Sequence, residues 1–208
     1  MNDVTLCSLD RSQLETASVV AAKAFIDDPI FVYLMPTDRE LRLQTLTWLM
    51  SKTIAYCIEH GQVDTTVDVQ GAAAWLPPGS FSIHPLQLLK IVLQHQLYTL
   101  PLQVGWHRLG RWLNFLSATE TAHTQDMGNV PHWYLGIMVV DPVLQGQGVG
   151  SQLIQPILQR ARAEGVPCYL NTFTEQGVRF YQKNGFEIMR KQQFENDVPQ
   201  LWTLMRKP

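Results

Sequence analysis

The sequence predicts an α/β (α+β) fold: a mixed central sheet flanked by helices, in a single domain over residues 1–208 with a helical insertion at about 80–124. Three features predict it. Two nearly continuous apolar runs, HWYLGIMVV and PCYLNTF, read as strands covered on both faces. An amphipathic helix lies between them, and strand, helix, strand in that order gives a right-handed crossover and a parallel pair. Two further runs, QVDTTVDV and GAAAWLPPG, are joined too closely for a crossover and read as an antiparallel hairpin.

From the amino end, LDRSQLETASVVAAKAF offers Asp10 or Ser12 as N-cap, with Ser12 and Glu15 forming a capping box, and the helix is expected to end before Pro29. A second box, Thr37 with Glu40, opens RELRLQTLTWLMSKTIAYCIEHG. Leu41, Leu46, Leu49, Ile54 and Ile58 form its apolar stripe, and Gly61 stops it. The hairpin follows with Gly71 near its turn, and Pro77 and Pro78 end its second strand because proline has no N–H for a ladder. The insertion reads as two helical pieces, 84–100 and 106–116, separated by Pro101 and Gly105. After HWYLGIMVV, a helix over 150–164 presents Leu153, Ile154, Ile157, Leu158 and Ala161 on one face, and Pro156 removes one of its hydrogen bonds. EQGVRFYQKNG reads as a short helix ended at Gly185, and FEIMRKQQF and QLWTLMR as antiparallel strands around a turn at 196–199.

Composition narrows the function classes. Apolar residues make up 46% and charged residues 16%, which favours a packed globule over a disordered or nucleic-acid-binding chain. A formal charge of -2, with the basic residues dispersed, leaves no footprint for a polyanion, so no nucleic-acid partner is expected. The greasiest segment, LQLLKIVLQHQLYTLPLQV, is broken by Lys90, His95 and Pro101, so no membrane partner is expected either. The amino terminus lacks the apolar core of a signal peptide. Cys7, Cys57 and Cys168 are far apart with no CxxC spacing, which suits reduced thiols in a cytoplasm and gives no reason to expect a metal.

The chemistry concentrates in DPVLQGQGVGSQLI, a glycine turn between a buried strand and a helix, where backbone N–H groups can converge on an anion. The dinucleotide spacing G-x-G-x-x-G fails, because Ser151 stands where the third glycine belongs, and no GK[ST] makes a Walker loop. The spacing that fits is Q-x-x-G-x-G, from Gln145 to Gly150. With it, the chain resembles the GCN5-related N-acetyltransferase (GNAT) family. DPVLQGQGVGSQLI is similar to that family's motif A and GVRFYQKNGFEI to its motif B. FIDDPIF, AAAWLPPG and HWYLGIMVVDP are similar to the branch that includes puromycin N-acetyltransferase-like enzymes, and the resemblance spans residues 18–205.

The resemblance implies acetyl-CoA as co-substrate, with its pyrophosphate on the turn formed by Gln145, Gly146, Gln147, Gly148, Val149, Gly150 and Ser151. Its pantetheine would run beside the strand ending in Met138, Val139 and Val140, where two parallel strands splay and Asn171 lies near the end of the facing one. It implies direct transfer of an acetyl or other short acyl group to a primary amine in a ternary complex, with Tyr181 hydrogen-bonding the departing sulfur. Two positions depart from the family pattern: many relatives carry a glutamate at Asn171 and an asparagine at Gly177. An amide cannot accept the amine's proton, so the base is open among His132, Glu175, Asp27, Asp28 and a water chain. The insertion, with His95, Tyr98, Trp106, Trp112 and Phe115, is expected to roof an apolar pocket for a small-molecule amine in a monomer or homodimer. A protein amine as acceptor, and a non-catalytic acyl-CoA sensor, stay open as alternatives.

Overall fold

The structure is a computed structural model that describes residues 4–80, 92–194 and 198–208. Its strands are β1 (Leu6–Ser8), β2 (Gln62–Thr66), β3 (Gly71–Leu76), β4 (Trp133–Val140), β5 (Cys168–Thr172), β6 (Glu187–Gln192) and β7 (Leu201–Arg206). They form one sheet in the order β1-β2-β3-β4-β5-β7-β6, parallel between β4 and β5 and antiparallel elsewhere. The mixed α/β architecture expected from the sequence is the one observed.

Helices α1 (Leu14–Phe25), α2 (Pro29–Leu34) and α3 (Arg39–His60) cover one face of the sheet. They bury Ala21, Leu34, Leu46 and Ile54 against Ala72, Ala74, Ile137 and Val139. Helix α6 (Val149–Glu164), the crossover between β4 and β5, covers the other face together with α7 (Glu175–Lys183). The expected stripe of α6 is the buried one: Leu153, Ile154, Ile157, Leu158 and Ala161 pack on Ala73, Trp75, Leu135 and Leu170. Burying each of the four large aliphatic side chains contributes roughly 1.5–3 kcal/mol, more than the hydrogen bond lost at Pro156.

One irregularity shapes the site. The β3–β4 register runs Ala74↔Ile137 and then Trp75↔Leu135, which leaves Gly136 as an extra residue in β4. Such a bulge inverts the alternation of side chains. Trp133 and Leu135 accordingly face α6, whereas Ile137 and Val139 face α1 and α3.

Several local expectations need correcting. Asp10, not Ser12, caps the first turn, and its box partner is Gln13 rather than Glu15. Asp38 caps α3 by accepting from the Leu41 N–H, which displaces the Thr37–Glu40 box, and Leu41 itself is exposed. Pro101 does not separate the insertion's helices: it sits in the first turn of α4 (Leu100–Val104), where its missing N–H costs nothing. The chain instead turns at His95 and at Gln96, whose φ is 56°. Helix α5 (Leu109–Met127) runs well past the expected end at 116 because its last buried residues include Ala122 and His123, which carry little apolar signal. β1 and α2 were not expected. Residues 84–91 of the first insertion helix, and 196–197 of the final turn, lie outside the described residues.

Candidate active site

β4 ends at Val140, and Asp141 follows it, its carboxylate accepting from the Val143 N–H and capping a single 3-10 turn, Pro142–Leu144. Gly146 and Gly148 follow with φ of 81° and 87°, the left-handed region that a side chain makes costly. Nothing lies within 4 Å of the position a Cβ would take at either glycine, so the turn faces open space. Gly148 is the N-cap of α6 and provides no side-chain capping bond. The first-turn N–H groups therefore need a partner from outside the helix, and an anion suits both them and the helix dipole. The turn fits a pyrophosphate on that observation.

The other residues of the turn have different work. Gln145 donates through Nε2 to the Val140 carbonyl at 3.1 Å, and Gln147 donates to the Val143 carbonyl at 3.4 Å, so both side chains brace the loop. Val149 is buried in the core, and Ser151 is half-buried in the first turn. Gly150 allows close packing: a Cβ there would meet Met138 Cε at 2.9 Å and the Phe180 ring at 3.2 Å.

Beside the turn the sheet opens. β4 and β5 pair only from Trp133↔Cys168 to Leu135↔Leu170, although β4 continues to Val140 and β5 to Thr172. The pairing stops at the Gly136 bulge, and the backbone of Met138, Val139 and Val140 borders the resulting wedge while its other edge pairs with β3. A wedge edged with strand backbone can accept an extended amide-bearing chain as an added strand.

Three ionisable side chains meet around this wedge. Tyr181 on α7 is only 8% exposed, packed on Phe180 and Phe186. Burial raises its pKa first, and the neighbouring Tyr134 and Asp28 oppose its ionisation further, so it stays a neutral phenol. Tyr134, on β4, donates to Asn171 Oδ1 at 3.3 Å, and burial pushes its hydroxyl up to about 12. Asp28, the N-cap of α2, accepts from the Ile30 N–H at 3.0 Å, yet burial outweighs that bond and pushes its carboxyl up to about 6.

The rival bases have other partners. Asp27 is exposed and paired with Arg39, which lowers its pKa. Glu175 pairs with Arg179 on the exposed side of α7. His132 is buried, with Nδ1 2.6 Å from the Val130 carbonyl and Nε2 2.9 Å from His123 Nε2, and burial lowers its pKa. Asp28 is the candidate that combines a raised pKa with proximity to Tyr181.

A cavity of about 420 Å³ is lined in part by Ile30, Tyr33, Arg111, Phe115, Phe173 and Leu201, Phe173 directly following the end of β5. Of its lining residues, Ile30 closely follows Asp28 in the chain and Phe173 closely follows Asn171. The Arg111 guanidinium lies over the Tyr33 ring at 4.6 Å and donates to the Tyr33 carbonyl at 2.9 Å. Of the five insertion residues expected to line a pocket, Phe115 does so. Trp106 is 70% exposed and Tyr98 59% exposed. Trp112 is buried with its indole donating to the Leu34 carbonyl, and His95 is buried beside Glu59.

The departure at Gly177 has a steric reason: a Cβ there would collide with Thr172 Oγ1 and lie 3.0 Å from Thr174 Oγ1. The Gly177 N–H donates to Thr174 Oγ1, the N-cap of α7. The residues that sequence reasoning missed are Tyr134 and Arg111. The signal for Tyr134 was the glycine two positions on, which breaks the strand's alternation.

Residues 108–188 match a family model described as an acetyltransferase (GNAT) domain. An uncharacterized N-acetyltransferase of Schizosaccharomyces pombe is 27% identical over 179 residues, covering 86% of this chain and 72% of that protein. Among solved structures, a Corynebacterium glutamicum protein described as histone acetyltransferase HPA2 and related acetyltransferase superposes with a TM-score of 0.66 at 18% identity, covering 99% of this chain and 96% of that one. Mosquito arylalkylamine N-acetyltransferase like 5b superposes with a TM-score of 0.62 at 14% identity, covering 99% of this chain and 100% of that one.

Proposed function

We propose that this chain is a GNAT-type, acyl-CoA-dependent N-acetyltransferase that acetylates the primary amine of a small, largely apolar molecule by direct attack in a ternary complex. The observation that carries this reading is the opening between β4 and β5, near which a buried Tyr181 feels the charge of a buried Asp28.

The amides from Gly146 to Ser151 would hold the pyrophosphate of acetyl-CoA, and the backbone of Met138, Val139 and Val140 its pantetheine amides. Bound there, the thioester supplies an activated acyl group. Asp28 is the general base: with a pKa of about 6 it is ionised at neutral pH yet more basic than an ordinary carboxylate. Tyr181, kept protonated by burial, donates its O–H to the departing sulfur. Asn171 takes no proton; it orients the Tyr134 hydroxyl, which limits how the amine can sit. Phe115, Phe173, Tyr33 and Ile30 would hold the apolar body of the acceptor and exclude water around the attack.

The aromatic lining supports the acceptor class; the likeness to the mosquito enzyme extends to fold. Arg111 and Phe115 of α5, within the insertion, would form one wall of the acceptor site. Three free cysteines suit a cytoplasmic location, and no described helix is long and apolar enough to cross a membrane.

Release of free CoA thiol from acetyl-CoA, measured across aromatic amines, polyamines and peptide amino termini, tests the reading. The expectation is turnover with aromatic amines at a kcat/KM at least tenfold above the other classes. CoA binding without thiol release from any amine would instead identify a sensor and sink the proposal.

A further inference from the structure

At the carboxyl end of α3, well along the chain from the glycine turn, Glu59 and His60 meet His95 from the insertion. His95 is 6% exposed, and its Nε2 is buried without a hydrogen-bond partner among the described residues. That nitrogen faces Glu59 Oε2 at 3.7 Å, beyond hydrogen-bond reach. One ligating atom from each of Glu59, His60 and His95 lies within 4.8 Å of the other two. We propose that these three side chains bind a single Zn²⁺ ion that fastens the insertion to α3.

Donor chemistry selects the ion. Two imidazoles and one carboxylate suit zinc, whereas magnesium and calcium prefer all-oxygen sites. With zinc–nitrogen bonds near 2.0–2.1 Å, tetrahedral ligands lie about 3.4 Å apart, so the cluster must contract by about 1.4 Å at most. His60 is exposed at a helix end and can supply that movement.

The surroundings already orient the ligands. Tyr56 packs against both rings, at 4.7 Å from His60 and edge-on at 5.7 Å from His95. Arg11 donates to Glu59 Oε1 at 2.6 Å and Gln94 to Oε2 at 2.8 Å, outer hydrogen bonds of the kind that fix a ligating carboxylate. A carboxylate has about four acceptor positions, so these bonds leave room for the ion. Water would complete the coordination.

The placement gives the ion a structural role. His95 precedes α4, whose Gln103 carbonyl accepts from Thr45 Oγ1 of α3 at 3.4 Å, and α4 leads into α5 with the cavity residues Arg111 and Phe115. The cysteines do not contribute: none is in the cluster, although Cys57 lies on the same helix.

The test uses the full, untagged chain stripped with a chelator and titrated calorimetrically with Zn²⁺, with Co²⁺ absorption reporting the donor set. The proposal expects one equivalent bound, a rise in Tm on saturation, and a Co²⁺ spectrum without thiolate charge transfer. His95→Ala and His60→Ala should each weaken binding at least tenfold and abolish the Tm rise, while Cys7→Ser leaves both unchanged. His60 is exposed, so its variant keeps the test decisive even if His95→Ala folds poorly. Absence of stoichiometric binding, undiminished binding by His60→Ala, or loss of binding in Cys7→Ser would each overturn it.

Discussion

Replacing Asp28 by asparagine separates its chemistry from its structural role. Asparagine can still accept from the Ile30 N–H and cap α2, but it carries no charge and takes no proton. Burial moves the Asp28 pKa from 3.8 to about 6. At about 1.4 kcal/mol per unit, holding the charge costs the folded state about 3 kcal/mol, discounted to about 2 kcal/mol for partial exposure. The folded pKa lies above the unfolded one, so the penalty is absent below about pH 4, grows as pH rises through about 6, and is complete above that. At pH 7.5 the variant should therefore be more stable, with Tm raised by roughly 4–8 °C.

The same substitution should lower kcat/KM by about 10²- to 10⁴-fold, the usual contribution of a positioned general base. In the wild type, kcat/KM should fall below pH of about 6 as Asp28 takes up its proton, and that limb should vanish in Asp28→Asn. Protonation of the acceptor amine adds a limb of its own, but that one moves with the amine's pKa across a substrate series. Thiol release measured from pH 5 to 9, beside calorimetric melts, checks all three points. Asp27→Asn is the control, because Asp27 is exposed and paired with Arg39, and it should change kcat/KM less than twofold. Asp28→Asn within threefold of wild type, or with its acid limb intact, would refute the assignment.

Further outcomes follow from the donor side and from α7. Gly148→Asp places a side chain at a φ of 87° and a negative charge at the cradle, so CoA binding should weaken at least tenfold by calorimetry, with wild-type far-UV dichroism retained. Tyr181→Phe keeps the ring contacts with Phe180 and Phe186, so Tm should change by less than about 2 °C while kcat falls about 10- to 100-fold. Gly177→Asn should be destabilising by about 1–3 kcal/mol in denaturant melts, because its Cβ overlaps Thr172 Oγ1, and Thr172→Ala should recover part of the loss.

The strand, turn and helix proposed to hold the donor were legible because they are built from contiguous sequence. A buried strand, Gly146 and Gly148 at a fixed spacing, and the stripe of α6 all lie between residues 133 and 164, so periodicity and turn chemistry describe them directly. The acceptor half is assembled from distant pieces. Asp28 precedes α2, Tyr134 is the second residue of β4, Asn171 the last but one of β5, Arg111 and Phe115 sit on α5, and burial rather than any local pattern decides which carboxylate becomes basic. Asp27 and Asp28 are adjacent and chemically alike, yet one meets Arg39 in solvent and the other is covered. The aromatic residues of the insertion misled for the same reason: Trp112 and Trp106 have equivalent sequence signals but lie in the core and in solvent respectively.

Gly136 links the two halves physically. A strictly alternating β4 would keep Leu135 and Ile137 on one face, yet they belong to opposite cores. The inserted residue makes that exchange possible, and the β4–β5 ladder ends at the residue before it. Because the bulge interrupts the pleat without breaking the pairing of β4 with β3, the sheet stays paired on one side while it opens on the other. The wedge therefore needs no separate device to hold it apart: the packing of two cores against one strand maintains it. Tyr134 lies just before the bulge and Met138 just after it, so the same irregularity that divides the cores also separates the Tyr134 hydroxyl from the backbone that borders the wedge.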